Sequence, residues 1–298
     1  MNYNFCTYFD SNYLAKGLAL YDSLKGYCPG FRLWVLCMDD HARVILEEMA
    51  LPEIEIIALK DFENADEELL QAKKNRNRVE YYFTCTPSLP LYIFKNFPEV
   101  DLITYVDADI YFFNDPKPVF EEINGHSIAI IEHRFSLRNM KNLIQGIYNV
   151  GWLSFRRDVN AMVCLKWWRD KCNEWCYDRV DGGLFADQKY MDDWPQHFKG
   201  VVVLKHKGVN LAIWNMDNYD INVRTNKVFV DEQSLIFFHF HGFRHILWKF
   251  YATGARFYRV RINRACRHFI YEPYLKKLSG INRDLLNRFG VSFNERIR

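Results

Sequence analysis

The chain has 298 residues, 49% apolar and 17% aromatic, enough for one large α/β domain or two ordinary ones and too much for a disordered chain. Net charge is only +2, but the excess sits at one end: Arg244 to Arg298 carries thirteen Lys/Arg against three Asp/Glu. No nucleic-acid motif accompanies that basic tail, and no apolar run approaches the roughly 18 residues of a spanning helix. Eight cysteines form no framework of close pairs, several lie inside apolar runs, and no signal peptide opens the chain. A reducing, cytoplasmic setting is therefore expected.

Asn4–Phe9 reads as a first strand, followed by Asp10-Ser11-Asn12-Tyr13 and a helix marked by Leu14, Leu18, Leu20 and Leu24. The polar cluster is ordinary helix-capping chemistry; the functional alternative is a base and ribose seated at the strand end. Phe31–Met38 predicts a second strand, Arg43–Leu51 a helix, and Ile54–Leu59 a third strand. This succession argues for a parallel sheet with helices on its faces. Glu63–Arg78 is polar and mixed in charge, and Tyr81–Phe97 has helical spacing around Pro87 and Pro90. At the front of that segment Arg78 and Thr84 are candidates for a phosphate or sugar, with a surface salt bridge as the plainer role.

Leu102–Phe112 is an apolar, β-branched and aromatic run that reads as a buried strand carrying Asp107-Ala108-Asp109. With 21 Asp in the chain, Asp-x-Asp is expected by chance roughly 1.5 times. Its place at a strand end is what gives it weight, because ligands of open α/β sheets bind at the carboxyl ends of strands. Two hard oxygen ligands there suit Mn²⁺ or Mg²⁺ holding a diphosphate.

Farther on, Ser127–Ile131 and Tyr148–Phe155 predict strands, the second with Gly151 inside it, where a ligand or backbone comes close. Val159–Cys176 predicts a helix, with Cys172 and Cys176 one turn apart but no second pair to complete a metal site. A loop at 181–184 precedes Asp187-Gln188, and Leu235–Gly242 is a late strand with His239 and His241 on one face. His245–Val260 is amphipathic, basic and aromatic, matching either a helix on an anionic membrane or one packed on the domain.

Taken in order, these stretches resemble the GT-A-fold nucleotide-sugar glycosyltransferases, most closely the retaining family 8 in its bacterial polysaccharide and lipopolysaccharide branch. The resemblance spans residues 4 to 245. Asp10-Ser11-Asn12-Tyr13, with Thr7 on the strand before it, is similar to the uracil- and ribose-receiving motif. Asp107-Ala108-Asp109 is similar to the metal and diphosphate motif, Asn149-Val150-Gly151 to the sugar-side Asn-x-Gly strand, and Asp187-Gln188 to the pair beside the donor sugar. His239-Phe240-His241-Gly242 resembles the His-x-x-Gly motif, whose His completes the metal site; spacing favours His239, with His241 the alternative. The family's phosphate-binding Lys three residues beyond Gly242 is His245 here, with Arg244 beside it.

The resemblance implies a GT-A mixed, mostly parallel sheet flanked by helices over residues 1–245, and a helical basic extension over 246–298. It implies transfer of a hexose from a UDP-sugar to a glycan or lipid-linked acceptor, with Asp187 and Gln188 at the sugar and a membrane contact through the tail. Inversion stays open, with Asp192 or Asp193 as a base. A nucleotidyltransferase and a non-catalytic carbohydrate-binding domain are the alternatives.

Overall fold

The computed structural model describes residues 3–247 and 250–291, the side chains of residues 245–247 and 250 excepted. Strands β1 (Tyr3–Phe9), β2 (Phe31–Cys37), β3 (Ile54–Ala58) and β4 (Leu102–Val106) alternate with helices α1 (Leu14–Tyr27), α2 (Asp40–Met49), α3 (Leu59–Asn64), α4 (Glu67–Lys73) and α5 (Arg78–Asn96). All four strands pair in parallel, in the order β3-β2-β1-β4. The chain continues through β5 (Ile110–Phe112), α6 (Lys117–Ile123), β6 (Ile128–Glu132), β7 (Tyr148–Arg156), α7 (Val159–Glu174), α8 (Trp194–His197) and β8 (Val201–Val203). The completed sheet runs β3-β2-β1-β4-β7-β6-β8, with β7 antiparallel to both neighbours and β6 parallel to β8.

Burial on both faces explains the near-continuous apolar strands. Along β2, Leu33 and Val35 join one core layer while Trp34 and Leu36 join the other. The second layer is roofed by α5 and α7; the first is roofed by α1, which is itself covered from outside by the C-terminal helix Glu272–Phe289. That double cover is why α1 buries ten of its residues, Lys16 and Gly17 among them.

The expected strand Leu102–Phe112 is two strands. After Val106 the Ile110 N–H donates to the Asp107 carbonyl at 3.1 Å, closing a turn over Asp107-Ala108-Asp109. Strand β5 then leaves the main sheet. It enters a three-stranded one with β9 (Leu211–Ala212) and β13 (Phe237–His239), reached after the meander β10 (Ile221–Arg224), β11 (Lys227–Val230) and β12 (Gln233–Ser234). The late strand is also shorter than Leu235–Gly242 suggests, since Gly242 turns the chain at φ +67°.

The expected helix over His245–Val260 is replaced by a hairpin, β14 (Arg244–Leu247) and β15 (Phe250–Ala252), and one helical turn, α9 (Ala255–Tyr258). Left-handed Gly254 (φ +76°) and Arg259 (φ +55°) bracket α9 and stop it from extending. Trp248 and Lys249 lie outside the described residues. Helix α10 (Arg264–Cys266), a π-helical turn at Arg267–Tyr271 and α11 (Glu272–Phe289) close the fold. Tyr274, Leu278 and Leu285 of α11 are buried in the same core layer as α1, and Lys277 pairs with Asp22 of α1 at 3.0 Å.

Candidate active site

The seam between the two sheets is where the carboxylates gather. Strand β4 delivers Asp107 to the carboxyl edge of the main sheet, and the turn carries Asp109 toward the small one. There His239, the last residue of β13, lies opposite Ile110 in the ladder. Its Nε2 is 3.1 Å from Asp109 Oδ1 and 3.5 Å from Asp107 Oδ2. Ligand atoms of the three residues lie within 4.8 Å of one another, and they form the only such group of three or more found among the described residues. His241 stands outside it, its ring edge-on to Trp214 at 5.5 Å.

Burial dominates the electrostatics here and penalises every charged form. At Asp109 it is outweighed by His239, with help from Lys16 and His241, and the carboxyl is held well below its usual range. At Asp107 burial prevails, reinforced by Asp109 against the pull of His239, and the pKa rises. Burial works against charge on His239 too, but the two Asp outweigh it and raise its pKa. Two hard carboxylates and one imidazole, converging with their lone pairs, form a donor set that fits Mn²⁺ and, less selectively, Mg²⁺.

Close packing on β7 supports His239. Its Nδ1 is 3.2 Å from Asn149 Oδ1, which also accepts the Gly151 N–H at 3.1 Å. A Cβ on Gly151 would lie 2.5 Å from Asn149 Oδ1 and 2.8 Å from His239 Nδ1, so only glycine fits beneath the imidazole. Here the close approach inferred for Gly151 is to a protein side chain.

Asp187 is buried, and its pKa is pushed up to about 7, first by burial and then by Asp107; a hydrogen bond from Thr86 opposes the rise. Thr86 Oγ1 is 3.2 Å from the Tyr8 hydroxyl, Tyr8 lies against Tyr105 with ring centres 5.7 Å apart, and Tyr105 donates to Asp107 Oδ1 at 2.9 Å. Polar side chains thus connect Asp187 to the Asp107 end of the cluster. Gln188 donates through Nε2 to the Gln145 carbonyl at 3.0 Å.

On the β1 side, Asp10 caps the 3₁₀ turn Ser11–Tyr13, accepting the Asn12 and Tyr13 amides, so the capping role is real. The same carboxylate accepts from Tyr82 at 3.2 Å and sits 3.6 Å from Arg78 Nη1. Asn12 and Tyr13 are exposed beside it, and Thr7 Oγ1 is buried without a partner. Thr84 is buried, its hydroxyl donating at 2.8 Å to the Glu80 carbonyl one helical turn back. Asp192, the candidate inverting base, is held by Lys189 at 2.7 Å and by the Ile147 amide at 2.7 Å, while Asp193 is exposed. Arg244 is exposed, and the side chain of His245 lies outside the described residues.

Lys16 escaped the sequence reading. It is 2% exposed, its ammonium stands 4.2 Å above the Tyr13 ring, and its charge is felt at Asp109. A Lys inside an otherwise apolar helix run was the available signal.

Solved glycosyltransferase structures share the architecture of this chain. The galactosyltransferase LgtC, solved with donor and acceptor sugar analogues, superposes with a TM-score of 0.56 at 14% identity, covering 93% of this chain and 95% of its own. Mouse xyloside xylosyltransferase 1 superposes with a TM-score of 0.51 at 14% identity, over 81% of this chain and 98% of its own. The chain therefore has the GT-A glycosyltransferase fold. No protein-family model matches it. It belongs to the family of YfnD from Bacillus subtilis, with 32% identity over 93% of this chain and 88% of that relative, a protein whose name carries no activity.

Proposed function

We propose that the chain is a metal-dependent glycosyltransferase of the family 8 type, moving a hexose from a UDP-sugar to a glycan or lipid-linked acceptor with retention. The observation that carries this reading is the convergence of Asp107, Asp109 and His239 at the carboxyl edge of a GT-A sheet. LgtC, named as a galactosyltransferase, and a xylosyltransferase share that fold, which supports the class of reaction.

In this reading Asp107, Asp109 and His239 Nε2 hold Mn²⁺ or Mg²⁺, which when bound offsets charge building on the leaving diphosphate. Ala108 gives the turn between the carboxylates a small side chain beside the phosphates. Lys16, with Arg244 and His245 beyond Gly242, supplies further positive charge to the diphosphate. Asp10, Asn12, Tyr13, Thr7 and Arg78 receive the nucleoside. Asn149 and Gly151 act on the donor site through the support they give His239.

Asp187, half-protonated near neutrality, both donates to and accepts from the sugar hydroxyls. Gln188 sits at the face of the anomeric carbon, where positive charge develops, and Asp192 is too engaged with Lys189 and the Ile147 amide to act as an inverting base. Residues 1–245 form the catalytic domain, and the described part of residues 246–298 is an extension packed on it. That extension and the exposed Leu137, Met140, Ile144 and Phe257 meet a lipid-linked acceptor at the inner membrane face. No helix among the described residues is long and apolar enough to cross a membrane.

The test is turnover of a UDP-sugar panel with and without Mn²⁺, in the native protein and in Asp109→Asn. Metal-dependent release of UDP by the native protein, abolished in a variant with unchanged melting temperature, is the expected result. Normal turnover by Asp109→Asn overturns the assignment.

A further inference from the structure

We infer that His133 is a positioning residue for the metal site, fixing through Asn149 which ring nitrogen His239 turns toward the cation. The inference rests on reading Asp107, Asp109 and His239 as metal ligands.

Gly151 N–H can only donate, and it points at one end of the Asn149 amide from 3.1 Å, so that end is the oxygen. The same oxygen faces His239 Nδ1 at 3.2 Å, so Nδ1 carries a proton. With Nδ1 taken up by Asn149, Nε2 is the nitrogen left to face Asp107 and Asp109, and it is the one that would ligate the cation. The nitrogen end of the amide faces His133 Nε2 at 3.2 Å and can only donate, so that nitrogen is unprotonated. His133 Nδ1 in turn faces the Ile147 carbonyl at 3.3 Å, which can only accept. One tautomer of His133 and one orientation of the Asn149 amide satisfy the contacts among His133, Asn149, Gly151 and Ile147, and reversing the amide would break both its His133 and Gly151 bonds.

His133 is built to hold that position. Its ring is buried and stacks on Phe135, with centres 4.6 Å apart and planes 10° from parallel. Its carbonyl accepts both the Trp214 indole N–H and the Asn215 amide at 2.8 Å. Trp214 then presents its edge to His239 at 5.1 Å, so the two histidines share one wall. Burial pushes the His133 pKa down to about 3, consistent with a neutral ring that accepts. Outer partners that orient a ligating histidine are worth 10–100-fold in metal affinity.

The experiment is Mn²⁺ titration by calorimetry of the native protein, His133→Phe and His133→Gln, each with its metal-free melting temperature. His133→Phe keeps the stack on Phe135 and removes the acceptor; His133→Gln keeps an acceptor. Weakening by 10–100-fold in His133→Phe with most of it recovered in His133→Gln is expected. Native affinity in His133→Phe, or equal losses in the two folded variants, overturns the inference. If the native protein itself binds no Mn²⁺, the metal-site reading fails instead. Nitrogen-15 spectra of the histidine-labelled native protein then judge His133 without any substitution. A proton on Nδ1 and none on Nε2 upholds it, and the opposite tautomer overturns it.

Discussion

At the scale of single residues, Gly151 and Asp187 make the sharpest demands. A methyl group on Gly151 cannot avoid both Asn149 Oδ1 and the His239 ring, and both are buried and held by hydrogen bonds. Gly151→Ala is expected to cost about 1–3 kcal/mol of stability through overpacking. It should also lower Mn²⁺ affinity, read by denaturant unfolding and metal titration; native values in both would mean that His239 does not need this contact.

Asp187 gives a pH dependence whose sign can be worked out. Its folded pKa, about 7, lies above the roughly 3.9 of an unfolded Asp, so between these values the folded state binds more protons. Its contribution to stability is therefore highest below pH 4 and falls as pH rises to 7. Asp187→Asn removes that loss, and its melting temperature should gain on the native protein progressively from pH 4 to 7.5. A constant difference across that range would contradict the buried, raised carboxyl.

At the scale of elements, the Asp-Ala-Asp turn owes its place to the path leading into β4. Arg157, at the end of β7, donates to the carbonyls of Phe94, Phe97 and Val100, at 2.6, 2.6 and 2.8 Å, clamping the last turn of α5 to the start of that path. Arg157→Ala removes three hydrogen bonds from a charged group, and a loss of roughly 2 kcal/mol is expected from the strength of such bonds. An unchanged denaturation midpoint would show the clamp to be dispensable.

The strands up to β4 and the helices α1, α2 and α5 could be read from the sequence because a sheet covered on both faces demands long apolar runs such as Phe31–Met38, whereas α3 and α4 fall in or beside the polar stretch Glu63–Arg78, which carries no clear apolar period. The interruption inside Leu102–Phe112 was not legible. Ile110-Tyr111-Phe112 has strand composition whichever sheet it joins, and only pairing with Phe237–His239 decides. The hairpin Arg244–Ala252 was misread as a helix because aromatic and basic residues alternate irregularly there, and the ladder across it is a tertiary fact. His133 and Lys16 were missed for the same reason: their partners lie 16 and 93 residues away in sequence.

At the scale of the whole molecule, α1 is held between the main sheet and the C-terminal helix. Ile270, Tyr271, Tyr274, Leu278 and Leu285 are buried in the core layer that α1 shares. At roughly 2 kcal/mol for each, their burial contributes about 10 kcal/mol, comparable with the entire stability of a typical domain. A chain ending at Ile262 should therefore lose cooperative thermal unfolding by circular dichroism. Retention of a native-like transition would make residues 263–298 a true appendage.

The central claim is that three side chains brought together from distant parts of the chain hold a divalent cation for a nucleoside diphosphate. The most direct measurement is the melting temperature with UDP, GDP and ADP, each with and without Mn²⁺. A ligand bound only by the native state at 100 times its Kd adds about 2.7 kcal/mol, a shift of several degrees. The account predicts such a shift for UDP when Mn²⁺ is present and none for UDP alone. No shift with any nucleotide and metal would contradict it.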